Sequence, residues 1–185
     1  GLGIQMLLYL FALQKEGSGY FGMPVVPAGV LYTPAREIIS REDRSIPPEK
    51  LEAVLRRKLR RTGMLLSEPE VLRAMEHSAL ESPHYLPIKV KKDGSIADGV
   101  ASAEQLGKLG RYVDRLLHQI AREIGSGSID ADPVAHGPQD RACQHCDFAA
   151  ACGFQEGRGG DRVRYIRSVD PGEFWKFVEE ESREE

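Results

Sequence analysis

Cys143, Cys146 and Cys152 are the only cysteines in the 185 residues, and they fall within one short stretch, Cys143-Gln-His-Cys146-Asp-Phe-Ala-Ala-Ala-Cys152. Thiolates at this spacing can converge on one metal centre, and such centres usually take four ligands. Three is one short, so either the last ligand lies outside this polypeptide or the site is incomplete, and both readings suggest a piece of something larger. An odd cysteine count without a secretory segment argues against a disulfide framework and for a reducing cytoplasm. The spacing alone leaves three readings open. The thiols are unligated on a surface loop, or they bind zinc with His136 or His145 completing the set, or they hold an iron–sulfur cluster. Phe148 and Phe154 stand beside the thiols and could shield a cluster from water.

With 41% apolar residues the chain has material for one or two packed domains. A formal charge of −3 gives no global attraction to nucleic acid, so any such contact rests on local basic patches. The apolar opening lacks a charged n-region and a cleavage site, which excludes a signal peptide. Its run from Met6 to Leu13 is too short for a membrane span of about 20 residues, so no membrane role is expected. The only Gly-Lys pair, Gly107-Lys108, is followed by Leu109, so there is no phosphate-binding P-loop and no ATP site. None of the eight lysines has an acidic residue two positions before it, which removes the acidic-x-Lys element of many magnesium nucleases.

The pattern predicts an α/β, helix-rich fold with a small sheet near the N-terminus and a mostly helical C-terminal half. A buried helix is expected over residues 2–13, stopped by Gly17-Ser-Gly19, with a strand over 25–32 whose first half Pro27 keeps at an edge. Pro47-Pro48-Glu49 opens a helix with Leu51, Val54, Leu55 and Leu59 on one stripe and Arg56, Arg57, Lys58, Arg60 and Arg61 on the others. Ser67-Glu-Pro-Glu70 and Ser102-Ala-Glu-Gln105 have the form of capping boxes, the second starting a long helix to Ile124. Leu86, Ile88 and Val90 alternate into Asp93-Gly94, a hairpin signal. Asp170-Pro171 caps a final helix carrying Phe174, Trp175, Phe177 and Val178. Three segments follow: 1–35, 36–100 with helix and hairpin, and 101–185 with the long helix, cysteine loop and last helix.

Two polar features remain. Gln5 and Tyr9 stand four apart, so they share one face of the first helix, which either marks its wet edge or carries function. Arg158, Arg162, Arg164 and Arg167 follow the cysteine loop and are candidates for contact with a DNA strand.

These features, in this order, resemble the C-terminal region of AddB-type subunits of bacterial helicase–nucleases, within the RecB-like PD-(D/E)XK nuclease family. Gly3-Ile-Gln5-Met-Leu-Leu-Tyr9 is similar to that family's Gln-x-x-x-Tyr motif, and Ala28-Gly-Val-Leu-Tyr32 to its next strand. Gly63-Met-Leu-Leu-Ser-Glu-Pro-Glu-Val71, Tyr85-Leu-Pro-Ile-Lys-Val-Lys-Lys-Asp-Gly94 and the segment from Cys143 to Tyr165 also match, and the cysteine spacing is the most specific of them. The resemblance implies a partial PD-(D/E)XK nuclease domain in which Cys143, Cys146 and Cys152 are three of four ligands of a structural 4Fe-4S cluster. It implies that Gln5 and Tyr9 position DNA at the nuclease centre; Arg158, Arg162 and Arg164 remain candidates for nucleic-acid contact from their place in the sequence alone. The parent would be an ATP-dependent exodeoxyribonuclease that processes DNA double-strand ends for recombinational repair. It would use Mg2+ and work with the AddA helicase–nuclease subunit in the cytoplasm. The Mg2+-binding aspartate and Asp-x-Lys element would precede Gln5, so this chain alone is expected to be inactive. The competing reading is a zinc-binding module that docks DNA or protein.

Overall fold

A computed structural model of the chain describes residues 3–35, 37–137 and 139–183. It is mixed α/β and helix-rich, as the sequence predicts, with six α-helices and three small sheets among those residues. The chain divides into two compact units, Gly1–Val113 and Asp114–Glu185.

The first unit opens with helix α1 (Gln5–Phe21), which runs through Gly17 and Gly19 instead of stopping there. It ends at Gly22, in the left-handed conformation with φ of 67°, and the Gly22 N–H donates to Ser18 O at 2.9 Å. That geometry is the usual reason for glycine just past a helix. Gly17 answers a different need, since a Cβ there would lie 3.0 Å from Val25 Cγ2. Nor is α1 a buried helix. Gly17 is its one buried residue among those described, and Met6, Tyr9 and Leu13 are exposed. Its apolar residues are spread around the helix, so no single stripe is offered to a core. Phe11 does pack, against Gly110 of the long helix described below. Leu2 lies outside the described residues.

Strand β1 (Gly29–Tyr32) is shorter than the sequence suggests, beginning only two residues beyond Pro27. It pairs antiparallel with β2 (Thr62–Leu66). On its other side β2 runs parallel to β5 (Val100–Ala101), so β2 is the middle strand. Gly29 and Gly63 hold positive φ at this pairing, and a Cβ on either would fall onto the facing backbone, at Met64 O and Val30 O. Close approach of the two chains therefore demands glycine at both places.

Helix α2 (Pro48–Leu59) follows its proline signal, and α3 (Pro69–Met75) begins shortly after β2. The expected capping box at Ser67 is not formed. Glu68 occupies the cap position without a side-chain bond, and the Ser67 N–H instead donates to Ala101 O at 2.9 Å, extending the β2–β5 pairing. Sheet pairing has outcompeted the local cap. The core of this unit gathers Leu65, Leu72, Ala79, Leu86 and Ile88, with Leu31, Leu80, Ile96 and Val100 packed against it. The predicted hairpin is present as β3 (Lys89–Val90) and β4 (Ile96–Ala97), its turn fixed by Asp93 accepting from Ser95 N and Oγ.

Helix α4 (Ala103–Gly125) starts with the predicted capping box, complete in both directions. Gln105 N donates to Ser102 Oγ at 3.1 Å and Ser102 N to Gln105 Oε1 at 2.8 Å. Leu106, Leu109 and Val113 are buried, whereas Leu117 and Ile120, expected on the same core face, are 39% exposed. In the second unit β6 (Val134–Gly137) pairs antiparallel with β7 (Asp140–Arg141) and parallel with β8 (Arg164–Tyr165), so the C-terminal half is less purely helical than expected. Helix α6 (Pro171–Glu181) is capped as predicted, Asp170 accepting from Gly172 N and Glu173 N, and it buries Val178. Among the described residues no helix is long and apolar enough to cross a membrane.

Candidate thiolate loop and glutamine–tyrosine pair

The cysteine loop leaves the small sheet of the second unit at Arg141 and returns to it at Arg164. Cys143 lies in a single 3-10 turn (Ala142–His145), which ends as Cys146 N reaches Cys143 O at 3.4 Å. Cys152 ends the short helix α5 (Ala149–Cys152), closed by Gly153 with φ of 64°. Turn, helix and left-handed glycine thus present the three thiols from successive bends. All three are free; Cys143 is half-buried, Cys146 and Cys152 exposed. Phe148, expected to shield this segment, is 75% exposed. Among the described residues no three His, Cys, Asp or Glu side chains are gathered to hold a metal ion.

The mouth of the loop is closed by side chains. Arg141 Nη1 pairs with Glu156 Oε2 at 2.9 Å, and Arg141 Nη2 donates to the Tyr165 hydroxyl at 3.0 Å. That hydroxyl in turn donates to Glu156 Oε1 at 3.2 Å. The third guanidinium nitrogen, Arg141 Nε, is buried and has no hydrogen-bond partner among the described residues. Beside this triad in the chain, Arg162 grips Asp132 through Nε and Nη2 at 2.9–3.1 Å, and Arg164 Nε donates to Asp132 O at 3.0 Å. The Arg162 guanidinium, by hydrogen bond and charge, holds the Asp132 carboxyl below the usual carboxylate range. Asp161 closes the last turn, accepting from Gln155 N at 2.9 Å.

The basic residues after the cysteines are therefore partly spent inside the protein. Arg162 and Arg164 tie the strand to Asp132, Arg158 donates to Gln155 Oε1, and Arg167 stands 3.8 Å from Glu173. Asp132, Arg141, Glu156 and Tyr165 are not singled out by sequence reasoning. Their pairings join residues 24 and 30 positions apart, and no short-range pattern carries that information.

In the first unit, Gln5 is the first residue of α1, and its Nε2 donates to the Tyr9 hydroxyl at 2.7 Å. The four-residue spacing sets this contact, one turn apart on one face. The pair is exposed, with Tyr9 53% accessible, so the phenol O–H and the Gln5 carbonyl oxygen face solvent as a neutral donor and acceptor. Such a pair can orient a phosphodiester but cannot neutralise its charge.

The donor set fits an iron–sulfur group in kind, with three free thiols on one loop that the structure does not draw together, and the arginine two residues before Cys143 carries a buried Nε–H with no partner among the described residues. The residues do not fit a magnesium centre. No acidic-x-Lys triplet occurs in the sequence, and no carboxylate group is assembled among the described residues.

The family model of the PD-(D/E)XK nuclease superfamily matches residues 1–153. The chain belongs to that superfamily. It is similar to proteins named as the B-type subunit of an ATP-dependent helicase/deoxyribonuclease. That of Desulforudis audaxviator is 31% identical over 180 residues, 96% of this chain and 15% of the relative. That of Acetivibrio thermocellus is 30% identical over 186 residues, 100% of this chain and 16% of the relative. A Thermoanaerobacter protein of the same name is 27% identical over 183 residues, 98% of this chain and 16% of its own length. The chain thus spans about one-sixth of the length of the curated relatives it matches.

Proposed function

We propose that this chain is the C-terminal nuclease region of an AddB-type helicase–nuclease subunit, acting on DNA double-strand ends beside an AddA-type partner in the cytoplasm. The observation that carries the reading is that relatives named as a helicase/deoxyribonuclease subunit align with 96–100% of this chain. The exposed Gln5–Tyr9 pair supports it, because it places a phenol donor and an amide acceptor where a phosphodiester could be oriented. Gln5 and Tyr9 are positioning residues in this reading. Cys143, Cys146 and Cys152 are three ligands of a 4Fe-4S cluster whose fourth thiolate is not among these residues. When bound, that group supplies a covalent cross-link, not electrons. The contacts of Arg141 with Glu156 and Tyr165, which fasten the two ends of the loop to each other, support a loop with a fixed base.

Hydrolysis in the whole protein would draw on magnesium for Lewis-acid activation of water. Its ligands are not assigned to any residue here, and the 185 residues alone are inactive in this reading. The test is a chain extended beyond Gly1 to include an Asp-x-Lys triplet. Magnesium-dependent cleavage of linear DNA should appear, and Tyr9→Phe together with Gln5→Ala should lower it about a hundredfold, the scale of lost alignment of reacting groups. An extended, folded chain that never cuts DNA, or one indifferent to both substitutions, would contradict the reading.

A further inference from the structure

Resting on the iron–sulfur reading above, we infer that Arg141 is a positioning residue for the thiolate-bound group, held in place by Glu156 and Tyr165 and donating its Nε–H to anionic sulfur. Three observations meet at this side chain. It sits two residues before Cys143, where β7 hands over to the cysteine-bearing turn. Two of its nitrogens are fixed across the loop mouth, Nη1 on Glu156 at 2.9 Å and Nη2 on Tyr165 at 3.0 Å. The third, Nε, is buried without an acceptor among the described residues.

A buried donor left unmade costs about 1–3 kcal/mol, so protein interiors seldom retain one without use. An anionic sulfur group held by the adjacent loop would supply the missing acceptor and would be stabilised by the guanidinium charge. Glu156 and Tyr165 bracket the cysteines from the other side in sequence, so the same triad sets both ends of the ligand loop. Lysine cannot replace arginine here: a single ammonium has neither the planar fork nor the separate Nε–H.

The test uses the 185-residue chain, loaded without oxygen with ferric iron, sulfide and excess 2-mercaptoethanol, which reduces part of the iron and serves as the fourth thiol. The readouts are the bleaching rate of the visible cluster band on adding a chelator, and hydrogen exchange at the Arg164 and Ile166 amides. Those amides bond to Pro133 O and Ala135 O and report an intact small sheet. Arg141→Lys and Arg141→Gln should bleach about tenfold faster than the parent, the usual scale for losing an outer hydrogen-bond partner of a metal ligand. Glu156→Gln and Tyr165→Phe should fall between, with both amides still protected. Equal bleaching of Arg141→Lys and the parent would overturn the inference alone, and so would faster bleaching accompanied by unprotected amides. A parent chain that takes up no more iron and sulfide than Cys143→Ala would overturn the cluster reading and the inference with it.

Discussion

In the unit Gly1–Val113 the largest fully buried side chains among the described residues are Leu65, Leu72, Leu86, Ile88 and Leu109. In the unit Asp114–Glu185 the buried hydrophobic residues among those described are Ala135 and Val178, and the segment from Ala142 to Asp161 buries none. One unit is held by packing, the other by polar closures at Asp132–Arg162 and Arg141–Glu156–Tyr165. The cysteine segment therefore lacks the apolar area from which a loop of its length would draw order. A covalent centre is the kind of reinforcement such small units use.

The heaviest loss should come from the packed unit. Leu65→Ala, at a fully buried position of the central strand, should cost about 3 kcal/mol by denaturant unfolding, whereas Phe148→Ala on the cysteine loop should leave stability within about 0.5 kcal/mol. Similar losses for both would mean that the loop also rests on packing, and the contrast would be gone.

A second effect sits where polar and apolar order meet. Glu76 accepts the backbone N–H groups of His84 at 2.6 Å, Tyr85 at 3.2 Å and Leu86 at 3.0 Å, and thereby feeds Leu86 and Ile88 into the core. Partial burial would raise its pKa, but the three N–H groups and the nearby His84 outweigh it and leave the carboxyl below its ordinary value. A folded pKa below the unfolded one gives stabilisation that is complete above the unfolded value and lost as pH falls through the folded value. Glu76→Gln should therefore lose about 1–2 kcal/mol at neutral pH, with the two unfolding curves converging in acid. A constant gap across that range would assign the effect to shape instead of charge.

Asp170→Ala removes the side-chain cap of α6 and should cost about 1 kcal/mol, read in thermal unfolding. Least of all is expected from Glu52→Ala, which breaks the exposed Arg56–Glu52 pair at 2.5 Å and should cost less than about 0.5 kcal/mol. A larger loss there would show α2 to be more firmly docked than its exposed pair suggests.

What is legible in the sequence follows the same divide. Elements written in local code are found where they are expected: the reciprocal Ser102–Gln105 box, the Asp93 turn, the Asp170 cap and the proline start of α2. Where two local codes compete, the reading fails. Gly17 and Gly19 resemble a helix stop, but the left-handed geometry is found at Gly22, and Ser67 resembles a cap but is taken by the sheet. Strand β2 escapes notice because Thr62-Gly-Met-Leu-Leu66 has neither alternation nor β-branched residues beyond its first, and only pairing on both sides makes it central. Of the candidate sites, the Gln5–Tyr9 contact follows from spacing. The clasp around the cysteines does not, because Arg141 and Tyr165 are brought together by the pairing of β6 with β7 on one side and β8 on the other.

The sharpest check on the proposed iron–sulfur centre is elemental analysis of the chain, extended to include a fourth thiolate and purified without oxygen. Iron and acid-labile sulfide should be found in equal amounts, near four of each per chain, and both should be lost in Cys143→Ala. Stoichiometric zinc with neither iron nor sulfide would contradict it.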